Sequence, residues 1–235
     1  MMYLISGMKY TRFSNKVQHV SYMLYNDCSI FREEKPLKSE RRRGEELEKA
    51  ILDAAYEIIE TSGYEEMTFQ RVARQAQTSR TVIYRRYETP VDLLHALVLY
   101  RSTRAMGGRM IDLFRDRGSL RADLLEVVGI YQRFFDAVGQ KLMSAVMTEF
   151  SRNHERFRDW FEQAHHSNVR IMKRVEENAR RRGEISHDFT ELQMRLPFDL
   201  LRFENVIRHE RITAAHLTRL VDEVLLPVFS KNQKN

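Results

Sequence analysis

Cysteine occurs once in 235 residues, at Cys28, so no intrachain disulfide can form, and a reducing cytoplasm is the expected compartment. Proline occurs four times and glycine nine times, which leaves long stretches with nothing to break a helix. No apolar run approaches the length of a membrane span, and the N-terminus lacks the apolar stretch behind a basic flank that marks a signal peptide. Glycine-rich phosphate loops, a Ser–His–Asp order and paired carboxylates in apolar settings are all missing, so catalysis is not expected. The eight histidines supply no pair four apart with a third ligand nearby, and His165 and His166 are adjacent, so neither a metal site nor another cofactor is expected. The most local absence is of acid. Thr68 to Tyr87 (TFQRVARQAQTSRTVIYRRY) holds five arginines and no aspartate or glutamate, whereas Glu45 to Glu60 just before it carries six acids against one base, Lys49.

Basic charge placed in this way points to a polyanion, with double-stranded DNA as the first candidate partner. The chain's formal net charge is +6 and its charged fraction 31%, against 43% hydrophobic residues, so a core is available alongside the charge. Leu, Ala, Glu, Arg and Met dominate and no sustained β-branched alternation follows residue 40, so the fold is expected to be all-α.

Residues 1–36 differ in composition from the rest and read as a poorly ordered extension, or as a start assigned too early given Met8 and Met23. Residues 37–88 read as a three-helix helix-turn-helix DNA-binding domain, 89–229 as a helical ligand-binding and dimerisation domain, and 230–235 as a tail. A basic arm containing Arg42 and Arg43 leads into an amphipathic helix whose apolar face runs Leu47, Ile51, Ala54, Ala55, Ile58. Gly63 is expected to stop it. Thr68 and Ser79 are placed to cap the two short helices of the basic stretch, and Thr89, Pro90 and Asp92 to begin a fourth helix.

On the third helix, Arg80, Thr81, Tyr84 and Arg85 share an arc of about 140°, while Ile83 and Tyr87 point to the core. Arg can bridge guanine O6 and N7, Thr can donate or accept, and a Tyr hydroxyl can reach a phosphate. Val82 is placed either to touch a thymine methyl or to pack at the helix edge, and Gln70 to meet a phosphate or an adenine. A solvated arginine-rich surface with no partner stays open as an alternative.

The run from Ile51 to Leu94 resembles the DNA-binding domain of the tetracycline-repressor family of bacterial transcription regulators. The resemblance is carried by Gly63-Tyr64, Thr68, Val72-Ala73, Ser79, Ile83-Tyr84 and Tyr87, in order and at the family's spacing. It implies an all-helical homodimer whose third helix enters the major groove of an operator, with Arg80, Thr81, Tyr84 and Arg85 as contacts. Two positions depart from the family. Gln77 stands where glycine is usual, which implies a left-handed residue costing on the order of 1 kcal/mol. Pro90 stands where a phosphate-binding lysine is common, and the arm at Arg41 to Arg43 together with Arg86 is expected to supply that charge. Gly118 to Leu124, with Arg182-Gly183-Glu184, resembles one common effector domain of the same regulators.

Beyond residue 89, helices are expected over 90–116, 119–138, 140–152, 154–182, 188–208 and 213–229, with Gly107-Gly108 as a bend or close packing point and Asp188 with Glu191 as a capping box. Met110, Phe134, Met147, Phe150, Trp160 and Phe161 are candidate walls of a pocket for a small apolar effector. Leu217, Val221, Val224 and Val228, with Leu196, Leu200 and Phe203, are candidate dimer stripes. A repressor on a pseudo-palindromic operator is the leading reading. The alternative is a protein of this fold that uses DNA as a platform for a protein partner.

Overall fold

Two side-chain hydroxyls, those of Thr68 and Ser79, open the two short helices of the basic stretch. The structure, a computed structural model, describes residues 38–208 and 212–230, with side chains from Gly44 onward and that of Arg156 outside them. The proposed N-terminal extension and the C-terminal tail beyond Ser230 lie outside the described residues, and Ser230 itself belongs to the last helix. Helix α1 (Lys38–Ser62) buries Ile51, Ala54, Ala55 and Ile58 as its heptad-like spacing predicts, and Gly63, at φ 89, ends it. Such a positive φ suits a residue without Cβ. After a 3₁₀ turn (Tyr64–Glu66), α2 (Phe69–Gln75) starts where Thr68 Oγ1 accepts from the Arg71 N–H at 3.2 Å. Helix α3 (Arg80–Tyr84) starts where Ser79 Oγ accepts from the Val82 N–H at 3.3 Å. Gln77 between them adopts φ 52, the left-handed residue that the sequence implies.

Helix α4 (Pro90–Met106) begins with a reciprocal cap: the Thr89 N–H donates to Asp92 Oδ2 at 2.8 Å, and Thr89 Oγ1 accepts from the Asp92 N–H. Here the expected 90–116 helix is corrected. Gly107 turns left-handed at φ 73 and its N–H caps the Thr103 carbonyl, so the helix stops instead of bending. Gly108 meets only Leu113 at ordinary contact distance, so it is no close packing point, and a short α5 (Met110–Leu113) follows.

Helices α6 (Leu120–Val138), α7 (Gln140–Arg152) and α8 (His154–Arg181) lie close to their expected bounds. Helix α9 (Glu191–Phe203) does not begin at Asp188. Thr190 caps it and Gln193 closes the box, while Asp188 pairs with Arg180 instead. It runs on as a π-helix (Glu204–Arg208). There the Asn205 side chain donates to the Leu201 carbonyl at 2.8 Å, the acceptor its own backbone N–H would take in an α-helix. The last stretch is α10 (Ala214–Arg219), a π-helix (Leu220–Leu225) and α11 (Leu226–Ser230).

Helix α6 is the centre of the larger half, packed by α4, α5, α7, α8, α9, α10 and α11. The two stretches that resemble an effector domain meet across it. Arg182 pairs with Asp116 at 2.6 Å and with the fully buried Asp123 at 2.8 Å, and Glu184 accepts from the Leu120 N–H at 2.7 Å. All regular structure among the described residues is helical, so the all-α expectation holds.

Two apolar cores result. One joins α1, α2, α3 and the start of α4 to α7 and Phe157; the other gathers α6, the end of α8, α9 and the C-terminal helices. Phe134, Met143 and Met147 pack against both. Helix α7 also touches α1 and the 3₁₀ turn directly: Lys141 donates to the Glu60 carbonyl, and Arg152 pairs with Glu65 at 2.6 Å.

Candidate nucleic-acid interface and effector cavity

The short α3 is fixed from one side and open on the other. Ile83 and Tyr87 are fully buried, and burial pushes the Tyr87 phenol well above its ordinary range. Arg80, Thr81, Tyr84 and Arg85 are exposed on the opposite side, with Gln70 and Thr68 exposed beside them at the start of α2. Thr68 and Ser79 each use their oxygen as a cap acceptor, which leaves the hydroxyl proton free to donate outward. Val82 is only partly buried and packs against the core, as the helix-edge reading has it.

Not all five arginines of the acid-free stretch face outward. Arg71 pairs with Glu66 at 2.6 Å and reaches Ser62, so its charge is met within the protein. Arg86 turns its guanidinium back toward the Gly44 carbonyl at 3.5 Å, away from the face shared by Arg80 and Arg85. Arg74, Arg80 and Arg85 are the exposed cations of this stretch. Arg42 and Arg43 lie within the first turns of α1, and their side chains are outside the described residues.

A second site lies at the seam of the two cores. A cavity of about 80 Å³ is bordered by Met110, Phe134, Met147, Trp160 and Phe161, five of the six expected wall residues, together with Val98 and Leu99 of α4. Phe150 does not border it. Its ring packs edge-on against Phe161 at 5.0 Å and lies 4.8 Å from His154.

Sequence reading missed the polar end of this cavity, which is formed by Tyr131, Ser167, Asn168 and Arg202. One signal was available: Asn168 sits on the apolar stripe of α8 that continues through Ile171, Met172 and Val175, a polar residue where the spacing calls for an apolar one. His95 was missed too. Its ring lies 4.5 Å from that of Trp160, its Nε2 is buried without a partner, and desolvation pulls its pKa down to about 4, so the ring is neutral near pH 7.

The expected dimer stripe on the last helices needs correction at one position. Val221 is fully buried in the subunit's own core because α10 and α11 pack on α6. From α9 onward, the large apolar side chains that remain exposed among the described residues are Leu192 (77%), Phe203 (52%), Ile207 (64%) and Val224 (39%).

Comparison with known proteins places both halves. A family model described as "Bacterial regulatory proteins, tetR family" matches residues 51–97, and one described as "Tetracyclin repressor-like, C-terminal domain" matches 114–224. An uncharacterised HTH-type transcriptional regulator of Mycobacterium tuberculosis is 28% identical over 189 residues, 79% of this chain and 89% of that protein. The DNA-binding transcriptional repressor TetR of Mycobacteroides abscessus is 32% identical over 91 residues, 39% of this chain and 45% of that protein. Among solved structures, the transcriptional regulator FadR from Bacillus subtilis in complex with stearoyl-CoA is similar with a TM-score of 0.55 and 18% identity, over 77% of this chain and 97% of that one.

Proposed function

Because the chain belongs to the tetracycline-repressor family of transcription regulators, with a DNA-binding helix-turn-helix formed by α2 and α3, we propose that it is a repressor that binds a pseudo-palindromic operator as a homodimer and leaves it when a small, largely apolar molecule enters the cavity. One observation carries the DNA contact. The capped α3 is anchored by Ile83 and Tyr87 and presents Arg80, Thr81, Tyr84 and Arg85 together. Arg80 and Thr81 then read base edges, while Tyr84, Arg85, Gln70 and the hydroxyls of Thr68 and Ser79 hold phosphates. The cytoplasm, where such DNA is found, is the proposed compartment; no described helix is long and apolar enough to cross a membrane.

The second copy is expected on α9 and the C-terminal helices. Leu192, Leu196, Phe203 and Ile207 recur at spacings of four and seven residues along one face, and Val224 is exposed on the π-helix Leu220–Leu225. A four-helix interface built from these elements of two subunits covers that face. It also sets two α3 helices side by side, able to enter successive major grooves about 34 Å apart.

The coupling route is α7 with α4. One face of α7 contributes Met143, Val146 and Met147 to the cavity, and its other contacts reach α1 and the 3₁₀ turn through Lys141 and Arg152. A cavity of about 80 Å³ is far below the roughly 300 Å³ at which ligand sites begin, so an effector must displace side chains to enter. The flexible methionines yield first, and the helices that bear them follow. A hundredfold loss of operator affinity requires about 2.7 kcal/mol of coupling, well within what differential burial of one ligand supplies.

Selecting bound fragments from genomic DNA tests this reading. An inverted repeat bound by a dimer, with affinity that falls steeply with salt, is the expected result. Recovery of no common inverted motif would overturn it.

A further inference from the structure

The cavity proposed above as the effector site is apolar along its walls and polar at one end, and that end narrows the class of molecule it takes. Tyr131 of α6, Asn168 of α8 and Arg202 of α9 converge there. The Arg202 guanidinium donates to the Tyr131 hydroxyl at 3.3 Å and to Asp199 Oδ1 at 2.7 Å. Asp199 also lies 3.6 Å from the Arg195 guanidinium. Two guanidiniums thus share one carboxylate, and the cluster keeps a net positive charge.

The donors and acceptors do not balance within the protein. Asn168 is 4% exposed, its amide interacts with the Tyr131 hydroxyl, and its Oδ1 has no partner. In this orientation the Tyr131 oxygen accepts from both Arg202 and Asn168, so its own proton remains to be donated. If the amide is turned over, the hydroxyl donates to Asn168 Oδ1, and the two amide N–H groups are left instead. Either way a donor remains at the cavity wall, beside an arginine that uses only some of its five N–H groups. Buried donors of this kind are normally partnered. An acceptor with negative charge satisfies the leftover donor and the excess positive charge, whereas a cation meets only Asn168 Oδ1 in the first orientation and is opposed by Arg202, and a pure hydrocarbon meets neither.

We propose that the cavity binds a monocarboxylic acid with an apolar body. The carboxylate is held by Arg202 and the Tyr131–Asn168 pair, and the body lies among Met110, Phe134, Met143 and Met147. Phosphate esters are disfavoured, because one partly shared guanidinium balances a single charge and the space is small. The proposal rests on the effector reading of this cavity.

The test uses the full chain and its one tryptophan, Trp160, which borders the cavity and reports occupancy by fluorescence. The probes are hexanoate, decanoate and phenylacetate, each beside its methyl ester, with the decanoyl thioester of coenzyme A as an arm that keeps the acyl body but lacks the free carboxylate. At least one acid is expected to bind about tenfold tighter than its ester and its thioester, as a charge-assisted pair implies. Arg202→Gln is expected to abolish that preference while ester binding persists, and Arg202→Lys to restore part of it. Should Arg202→Gln fail to fold, Asn168→Asp, which sets a second negative charge against the head group, is expected to weaken the acid and spare the ester. Acid and ester binding alike, thioester preferred over acid, or no acid binding at all would each overturn the proposal. Release of operator by neutral esters as readily as by acids overturns the carboxylate assignment and leaves the effector reading standing. Acids that bind with the expected preference yet leave operator affinity unchanged support the carboxylate site and overturn the effector reading.

Discussion

The ring of Tyr84 stands edge-on against that of Phe69, with centroids 4.9 Å apart and planes at 79°. Phe69 is buried in α2, so a core residue of one helix orients a half-exposed ring on the next. Tyr84 in turn holds Arg80, whose guanidinium donates to its hydroxyl at 3.3 Å and lies 5.7 Å from its ring centroid. The outward arginine is therefore poised before any DNA arrives, which lowers the ordering cost of binding.

Arg80→Ala is expected to cost about 1–3 kcal/mol on the best operator and to relax discrimination at one base pair. Tyr84→Phe keeps the edge contact with Phe69 but releases Arg80, so a smaller loss at the same base pair is expected. Arg42→Ala should weaken all sequences alike and reduce the salt slope by about 1. Titrations against the operator and its single-base variants decide. An equal loss on every sequence for Arg80→Ala would remove that residue from base reading.

Gln77 offers a stability test. At φ 52 it holds a left-handed conformation that an L side chain disfavours. Gln77→Gly is expected to stabilise by up to about 1 kcal/mol, offset in part by glycine's greater freedom in the unfolded chain, and to raise the melting temperature by roughly 2–4 °C. A lowered melting temperature would mean that the Gln77 side chain makes contacts worth more than its backbone strain.

Phe203→Glu and Ile207→Glu place charge on the exposed face of α9 and the π-helix that continues it, and are expected to give folded monomers with weakened operator binding. Val221→Glu puts an unpaired charge into the subunit's own core and is expected to unfold the chain. Sedimentation with circular dichroism separates the two outcomes. A Phe203→Glu protein that stays fully dimeric would rule out this interface.

What the sequence disclosed follows from how local each signal is. Thr68, Ser79 and Thr89 each bond to a backbone N–H within three residues, and the pattern announces such caps. The buried face of α1 and the inward Ile83 and Tyr87 likewise follow from helical spacing alone. The failures lie where two local signals compete or where distant elements meet. Thr190 with Gln193 outcompeted Asp188, whose carboxylate was taken by Arg180. Val221 looked like surface until α6 arrived to cover it. The polar end of the cavity unites Tyr131, Asn168 and Arg202, which are dozens of residues apart, and no spacing rule joins them. Arg71 and Arg86 counted toward a basic patch, yet Glu66 and the Gly44 carbonyl hold them to the protein.

His95 supplies the last prediction, a dependence on pH with a definite sign. An unfolded chain binds a proton at this imidazole near 6.5, whereas in the fold desolvation beside Trp160 pulls the value to about 4. The folded state therefore favours the neutral ring, and the unfolded state takes up the proton first. Stability from this group is full above pH 6.5 and is lost progressively as pH falls toward 4. The residue as a whole is only half-buried, so the loss is put on the order of 2 kcal/mol, below the full linkage figure. Carboxylates also titrate in the lower part of this window, which makes the difference between two proteins the useful measure. His95→Phe keeps an aromatic ring against Trp160 and removes both the proton site and the unpartnered Nε2. Urea unfolding at pH 7 and at pH 4.5 is expected to show a smaller drop in stability for His95→Phe than for the native chain. Parallel drops would show that His95 takes up its proton in the fold as readily as it does unfolded.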